Sequence, residues 1–419
     1  MDTNAEFPGK SPSLEESAFL EEAGALLGPR GLTRDAQLIA PWLTDWRERF
    51  TGRALAMASP ATTEELAALI GLCAKYGIPV VPQGGNSGMS GGATPDASGH
   101  ALLLSLRRMN AIRALDAASR QVTCEAGLIL QSLHEAADAA GLRFPLTLGG
   151  KGSATIGGLI ATNAGGTQVL RHGTMRAAVL GLEVVLADGR VWSQLEPLAK
   201  DNRGFDLKAL FIGSEGTLGI ITAATLRLQP ALAARVVIWA GVSSIQAARA
   251  LLLHCQRELG GALEGFEVLP QSCLEAVLDY LPGARAPLTR AHAWHALIEF
   301  GADASGAATL EARAEAAIAS AYAAGVLADA VVASSEAQAE ALWALRDAIS
   351  PAERARGPAM QHDIAVPVAA MADFVEAAVP LIEAAFPGVH AFGFGHLGDG
   401  NVHFHVAAPT GTADRKSVV

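Results

Sequence analysis

The chain has 419 residues, of which 50% are hydrophobic, and it carries a net charge of −11. This length exceeds what one hydrophobic core usually serves, so we expect two domains. The acidic balance and the scattered basic residues argue against nucleic acid as a partner. Residues 1–10 lack the apolar core of a secretory signal, and no later run reaches the roughly 18 apolar residues of a membrane span. We therefore expect a cytoplasmic protein without a membrane span.

The four cysteines favour the same compartment. Cys73, Cys124, Cys255 and Cys273 are far apart, form no C-x-x-C pair and lie in apolar segments. This pattern is typical of reduced cysteines in a core.

The pattern of elements changes near residue 230. Before it, short β-branched runs alternate with helices such as 63–76; the predicted strands are 80–81, 102–106, 184–187, 210–212 and 220–222. After it, long helical patterns dominate, namely 244–259, 308–324 and 335–350, with strands at 236–240 and 295–300. We predict an α+β protein with a helical extension (1–40), a first domain (41–230) and a second domain (231–419).

The first chemical motif is a glycine-dense loop within residues 80–92, which has five glycines in nine residues. Glycines permit close approach and positive φ, so several backbone N–H groups can point at one anion such as a diphosphate. The alternative is a flexible glycine loop that binds nothing.

Three further glycine-containing segments follow, at residues 145–166, 181–189 and 211–222. In this order the four segments closely resemble the FAD-binding domain of the vanillyl-alcohol oxidase type, and the likeness is nearest to D-2-hydroxyglutarate and D-lactate dehydrogenases. The resemblance extends from about residue 41 to residue 405. It implies a two-subdomain FAD-binding domain followed by an α+β substrate domain.

The resemblance also implies which residues bind the cofactor. Residues 82–89 would hold the FAD diphosphate, and the other segments would line the flavin and ribityl side. The implied residues are Pro82, Gln83, Gly84, Gly85, Asn86, Ser87, Gly88, Met89, Gly149, Ser153, Gly157, Gly158, Thr162, Asn163, Gly166, Glu215, Gly216 and Ile220, with Asn401 near the flavin ring.

Two matches to other signatures are rejected on their context. Residues 393–398 fit G-x-G-x-x-G, but a strand-like run follows where a dinucleotide fold requires a helix. Residues 88–92 fit the G-x-S-x-G elbow around Ser90, but residues 93–98 read as a loop. A serine hydrolase that uses Ser90 remains the remote alternative.

A helical pattern over residues 342–350 carries Arg346 and Ser350, which are four residues apart and would share one helical face. A guanidinium and a hydroxyl placed in this way can bind a carboxylate. The alternative is an exposed arginine and a C-terminal serine before Pro351. The resemblance implies that Arg346, Ser350 and Gln361 bind substrate.

A histidine-rich hairpin follows near the end of the chain. Asp399-Gly400 predicts a turn between two strands, with His396 before it and His403 after it. Alternation places Asn401, His403 and His405 on one face and Val402, Phe404 and Val406 on the other. Two histidines with a carboxylate from elsewhere suit a zinc-type site, whereas the alternative is a hairpin with solvated histidines. The resemblance implies that His396 and His403 are ligands of a divalent metal.

The sequence departs from the family in three ways. Family members continue with a Ser-x-Glu-His-Gly motif that supplies a third metal ligand and the catalytic base, so we expect a C-terminally truncated chain whose catalytic residue is unknown. Residues 414–419 match the translation of a sequencing adapter, which supports that expectation. Gln361 stands where lysine is expected and His405 where asparagine is usual, so lactate and glycolate remain open beside 2-hydroxyglutarate.

The implied function is the FAD-dependent oxidation of a D-2-hydroxy acid to the 2-oxo acid, by hydride transfer to the flavin. Electrons would pass to an electron-transfer flavoprotein, a quinone or a cytochrome, and a homodimer is left open. The alternative is a catalytically impaired flavin-binding fragment.

Overall fold

The computed structural model describes residues 12–198 and 200–409. Its α-helices are α1 (Leu14–Leu27), α2 (Ala36–Ile39), α3 (Thr63–Tyr76), α4 (Leu130–Ala139), α5 (Ile156–Ala161), α6 (Val169–His172), α7 (Met175–Ala178), α8 (Lys208–Phe211), α9 (Ile245–Leu259), α10 (Gln271–Tyr280), α11 (Ala307–Ala323), α12 (Glu336–Asp347), α13 (Ile349–Arg356) and α14 (Met371–Ala385). Short 3-10 turns cover Ala40–Trp42, Gly260–Ala262 and Val368–Ala370.

The strands follow the same chain order. They are β1 (Leu32–Thr33), β2 (Ala56–Ala58), β3 (Val80–Gln83), β4 (Leu102–Ser105), β5 (Ile112–Asp116), β6 (Gln121–Glu125), β7 (Leu142–Arg143), β8 (Val179–Val185), β9 (Val191–Gln194), β10 (Ile220–Arg227), β11 (Gln229–Pro230), β12 (Ala234–Val242), β13 (Leu263–Pro270), β14 (Trp294–Ala302), β15 (Asp329–Val332), β16 (Ala359–Ala365), β17 (His390–His396) and β18 (Asn401–Ala407).

The chain forms two compact units. The first contains the residues up to Gly166 together with Gly173–Ala231, and the second contains Thr167–His172 together with the residues from Leu232 onward. The mixed α+β class predicted from the sequence is confirmed.

The first unit contains two main sheets. In the four-stranded sheet, β2, β4 and β3 are parallel and β1 is antiparallel, whereas the order β5-β6-β10-β8-β9 is antiparallel throughout. Helix α3 has the predicted bounds, with Thr62 as its N-cap and Gly77 in the left-handed conformation after its last residue. Side chains of both sheets and of α1 share one hydrophobic core.

The second unit is built on a seven-stranded antiparallel sheet of order β15-β12-β14-β13-β17-β18-β16. Alternate residues of its strands enter two different cores. Ile238, for example, packs with α9, α11 and α14, whereas its neighbour Trp239 packs with α10, α12 and α13. The sheet is therefore covered by helices on both faces.

One predicted element has the wrong type in the structure, and two others end earlier than expected. Residues 210–212 were expected as a strand, but Lys208–Phe211 is a helical turn, because three apolar residues fit either conformation. The strand expected at 184–187 ends at Val185, where a turn closed by Gly189 begins. The helix expected at 335–350 ends at Asp347. In a continuous helix, the ring of Pro351 would clash with the carbonyl of Asp347, four residues earlier.

The hairpin of β17 and β18 confirms the predicted alternation of its side chains. Val402 and Phe404 lie in the core with α9, α11 and α14, whereas His403 and His405 contact Phe394 on the other face. The two strands are connected by a four-residue loop that contains Asp399-Gly400, with His396 before it and His403 after it as predicted. A strand follows residues 393–398, and a loop follows Ser90, so both rejected signatures lack the helix they require.

All four cysteines are unpaired and buried, and burial raises the pKa of the Cys73 thiol to about 12. Among the described residues, no helix is both long and apolar enough to cross a membrane.

Candidate functional site

In the first unit, the predicted cofactor segments meet through glycines that leave no room for a side chain. A methyl group built on Gly84 would lie 2.1 Å from Oγ1 of Thr155, and one on Gly85 would lie 1.6 Å from the carbonyl oxygen of Ser153. One on Gly216 would lie 2.7 Å from Cγ of Pro82. The glycine-rich loop therefore packs directly on the other two segments.

The third segment is tied to the second by backbone hydrogen bonds. The N–H groups of Gly213 and Glu215 donate to the carbonyls of Ile160 and Ala161 at 3.1 and 2.9 Å. Non-glycine residues adopt positive φ at three predicted positions, namely Asn86 (52°), Asn163 (48°) and Glu215 (51°). Such conformations cost energy and cluster at ligand sites.

Buried polar atoms without partners lie at the same place. Within the described residues, Oε1 of Gln83 and Oγ1 of Thr155 are buried and make no hydrogen bond. A flexible loop without a ligand does not account for these atoms. A cofactor with phosphate and hydroxyl groups supplies partners for them, so the residues fit FAD.

The predicted cofactor residues do not all play the same part. Gly157 and Gly166 are buried, and a methyl group on them would meet Ala126 and the carbonyl of Thr147, respectively. Gly149, Gly158 and Thr162 are exposed, whereas Ile220 is a core residue of β10. The exposed residues are free to contact a ligand, and the buried ones shape the backbone.

In the second unit, Glu267 of β13 is 1% exposed and lies at the centre of the predicted substrate residues. Its Oε2 accepts hydrogen bonds from Nε and Nη2 of Arg346, both at 2.8 Å, and its Oε1 accepts one from Nδ1 of His396. Burial acts to raise the pKa of Glu267, but the charges of His396 and Arg346 outweigh it and leave a pKa of about 2.

His403 completes this cluster. Its Nδ1 bonds to Oδ1 of Asp363 at 2.7 Å, its Nε2 lies 3.5 Å from Nη2 of Arg346, and its ring centre is 5.3 Å from that of His396. Burial lowers the pKa of His403. The pKa of His396 is raised, because the charge of Glu267 outweighs the opposing effect of burial. Two imidazoles with opposite pKa shifts therefore lie beside one guanidinium.

The remaining predicted residues lie on neighbouring elements. Ser350 is in the first turn of α13, on a different helix from Arg346, so the shared helical face expected for this pair is wrong. Gln361 pairs with His405 across β16 and β18, and His405 forms a buried pair with Glu353. Nδ2 of Asn401 lies 3.4 Å from Oδ1 of Asp363.

The cluster provides part of a ligand set for a divalent metal. His396 and His403 are each backed by a carboxylate, an arrangement typical of metal-binding histidines. Within the described part of the chain, however, no group of three His, Cys, Asp or Glu side chains has the geometry of a metal site. The described residues fit two ligand positions, one fewer than the three protein ligands usual at a catalytic zinc.

Glu267 was not predicted from the sequence. The signal was present, since two glutamates, Glu264 and Glu267, lie in a strand whose other residues are apolar or glycine. Buried carboxylates require partners of opposite charge, so this pattern indicates a buried ion pair.

Comparison with known proteins agrees with this geometry. Residues 54–193 match the family described as FAD binding domain, and residues 231–418 match FAD linked oxidases, C-terminal domain. The chain belongs to the FAD-linked oxidases. The resemblance to this family is thereby confirmed, and FAD is its cofactor.

Two relatives are similar to the chain in sequence, and one solved structure is similar in fold. The chain is 35% identical to mitochondrial D-2-hydroxyglutarate dehydrogenase of Arabidopsis thaliana, over 91% of this chain and 67% of that protein. It is 38% identical to D-2-hydroxyglutarate dehydrogenase of Xanthomonas citri pv. viticola, over 88% and 76%. The structure of p-cresol methylhydroxylase with substrate bound has the same fold (TM-score 0.73, 13% identity, 98% and 86% coverage).

We predict that Gly85→Ala weakens FAD binding at least about tenfold, because the added methyl group would collide with the carbonyl of Ser153 and displace the glycine-rich loop. FAD titration of the apoprotein, followed by flavin fluorescence, measures this. Gly152→Ala is the matched control, since a methyl group there meets nothing within 4 Å. Equal affinities of the two variants would contradict the packing described above.

Glu267→Gln is predicted to lower the free energy of unfolding by about 3–5 kcal/mol, because it leaves the guanidinium of Arg346 without its buried counter-charge. Chemical denaturation measures this loss. Glu340→Gln is the control, since its ion pair with Arg235 is exposed and should contribute less than about 1 kcal/mol.

The same variant should change the pH dependence of stability. Glu267 stabilises the fold above its unperturbed pKa of 4.5 and loses that effect as the pH falls towards 2. His396, with its raised pKa, stabilises the fold below 6.5 and loses that effect as the pH rises through its folded pKa. The stability difference between wild type and Glu267→Gln should therefore be largest between pH 4.5 and 6.5. A difference independent of pH would refute the assigned pairing.

Proposed function

We propose that this chain oxidises D-2-hydroxyglutarate to the 2-oxo acid. The observation that carries the proposal is the cluster of Arg346, His396 and His403 around Glu267 on one face of the second unit's sheet. Both relatives described above are named for this activity. When bound, FAD accepts the hydride from C2 of the substrate.

Arg346 is the residue proposed to bind the C1 carboxylate. Two of its nitrogens are held by Glu267, and Nη1 makes no protein hydrogen bond within the described residues. The charge of Glu267 raises the pKa of His396 and so favours its cationic form beside the guanidinium of Arg346. These two groups are the cations offered to a substrate anion, next to the carboxylates of Glu267 and Asp363.

His403 is the residue proposed to handle the proton of the 2-hydroxyl. Burial lowers its pKa and so favours the neutral imidazole, in which Nδ1–H donates to Asp363 and Nε2 carries the lone pair. That lone pair can take the hydroxyl proton or bind a metal, but it cannot do both at once. The role of His403 therefore depends on whether a metal is present.

A second candidate substrate is D-lactate, which lacks the distal carboxylate of 2-hydroxyglutarate. Gln361 supports this alternative, because it is uncharged and half-buried beside His405 on the face that carries Arg346. The two substrates are compared in the same assay.

We predict that anaerobic addition of D-2-hydroxyglutarate bleaches the flavin absorbance of the purified chain. Arg346→Lys should raise the KM for the hydroxy acid about tenfold or more, because lysine keeps the charge but loses the bidentate geometry. Stopped-flow absorbance measures both effects.

A control variant and a second substrate test the specificity of these effects. Arg313→Lys, on an exposed position of α11, should leave the KM unchanged. Reduction by D-lactate alone would assign the alternative substrate. A bound flavin that no D-2-hydroxy acid reduces would contradict the proposed activity and support the impaired flavin-binding fragment.

A bound divalent metal is the further part of the proposal, with His396 and His403 as its nitrogen ligands and additional ligands to be supplied by other groups. We predict about one equivalent of metal per chain by elemental analysis, and its loss in His396→Ala with FAD content unchanged. Metal-free protein that is reduced at the wild-type rate would exclude the metal and leave His403 as the proton acceptor.

We also propose that electrons leave to an electron-transfer flavoprotein, a quinone or a cytochrome, and that the protein is cytoplasmic. The four buried, unpaired thiols support a reducing compartment. Reoxidation of the reduced flavin by each acceptor class decides between them, and reoxidation by NAD alone would contradict all three.

A further inference from the structure

Residues 42–52 of the first unit form a closed loop, here called the strap, which follows α2 and its 3-10 turn. Its ends are joined by an isolated bridge between Thr44 and Thr51, whose Oγ1 atoms lie 3.1 Å apart. The N–H of Gly52 donates to the carbonyl of Leu43 at 2.9 Å. No residue of the strap belongs to the cofactor site described above.

The carboxylate of Asp45 organises the strap from inside. Asp45 is 3% exposed, its Oδ1 accepts from the N–H groups of Arg49 and Phe50 at 2.7 Å each, and its Oδ2 accepts from the N–H of Arg47 at 3.1 Å. Burial acts to raise the pKa of Asp45, but these donors outweigh it and hold the pKa below its usual range. Glu48, whose N–H donates to the carbonyl of Asp45 at 2.9 Å, adopts a left-handed conformation with φ of 55°.

The first half of the strap holds the start of the glycine-rich loop. Nδ2 of Asn86 donates to the carbonyl of Thr44 at 2.9 Å, and Nε2 of Gln83 donates to the carbonyl of Trp42 at 3.0 Å. Asn86 is one of the residues with positive φ. Its strained conformation is therefore supported by a direct bond to the strap.

The second half holds the end of the loop. A methyl group built on Gly91 would lie 2.4 Å from Cδ2 of Phe50, and one built on Gly52 would lie 1.8 Å from the carbonyl of Pro95. Nη2 of Arg47 lies 3.3 Å from Sδ of Met89. The strap thus contacts the loop at both ends and along its length.

We propose that Asp45 is a positioning residue for FAD, which fixes the diphosphate-binding loop through the strap. The inference rests on the assignment of FAD to this loop. Backbone N–H groups bind an anion well only when they are held in place beforehand, because ordering a loop upon binding costs affinity. Asp45 supplies that order without touching the cofactor.

The chemistry requires a carboxylate. Three backbone donors converge on the two oxygens of Asp45, whereas asparagine has one oxygen and a donor amide. Asp45→Asn would keep the bonds from Arg49 and Phe50 and place two donors against each other at Arg47. Asp45→Ala would remove all three bonds.

The test measures FAD affinity of the deflavinated full chain by flavin fluorescence. We expect the Kd for FAD to rise at least about tenfold in Asp45→Ala and less in Asp45→Asn, with far-UV circular dichroism of the apoprotein unchanged. At saturating FAD, the KM for the hydroxy acid should equal that of wild type, since Asp45 acts on cofactor binding alone.

Asp116→Ala is the matched control, because Asp116 caps a turn of the same unit by accepting the N–H groups of Ala118 and Ser119. Unchanged FAD affinity in a folded Asp45→Ala, or an equal loss in Asp116→Ala, overturns the proposal. Should Asp45→Ala not fold, Phe50→Ala carries the test, since Phe50 is 52% exposed and its loss should weaken FAD binding without unfolding the unit. A wild-type chain that binds no FAD would instead overturn the cofactor assignment itself, and with it this role of Asp45.

Discussion

The candidate site of the second unit depends on the buried ion pairs of Glu267. Glu267 is enclosed by a sheet and its helices, where an unpaired charge would be prohibitively costly, so β13 holds this residue only together with Arg346 and His396. These partners come from α12 and from the end of β17. The ion pairs therefore fix a helix against the sheet and orient a guanidinium and an imidazole at the same time. The chemical groups of the site are placed by the interaction that stabilises the fold around them.

In the first unit, the candidate site is positioned by glycines, which have no side chain. At Gly84, Gly85 and Gly216 the segments approach more closely than any Cβ atom allows. Polar backbone groups thereby reach the position of a ligand, and conformational strain at Asn86, Asn163 and Glu215 is offset by surrounding contacts. The strap around Asp45 is one of those contacts. Charge organises the second unit, and close backbone approach organises the first.

The sequence was sufficient for features that depend on local pattern. Helix α3 and the alternation of β18 follow from periodicity and capping, whereas the convergence of the glycine-dense segments was implied by the family resemblance. The family resemblance supplied the cofactor. Features that depend on residues distant in the chain were missed, since Glu267 and Arg346 are separated by 79 positions and the strap reaches Asn86 across 42. The end of α12 at Asp347 was only partly predictable, because Pro351 indicates a helix boundary but the hydrophobic pattern of a helix continues past it.

The two unusual residues of the substrate face are linked by the fold. Gln361 and His405 are direct partners across β16 and β18, and His405 pairs with the buried carboxylate of Glu353 on α13. With the lysine and asparagine expected at these two positions, the basic side chain would be on β16, at position 361. Here the basic side chain is on β18, at His405. The buried Glu353 needs such a partner, and His405 provides it.

The residues Gln361 and His405 lie apart from the ion pairs of Glu267 on the same face of the sheet. Among the described residues, no hydrogen bond joins Gln361 to Glu267, Arg346 or His396. His403 lies between these residues and Gln361, opposite Asp363. Under the proposed function, substitutions at Gln361 or His405 would therefore alter which hydroxy acid is recognised, while Arg346 and the paired imidazoles are kept. Under the proposed function, recognition of the substrate's distal group and chemistry at its C2 atom would be separable, because Gln361 and His403 lie on different rungs of the sheet.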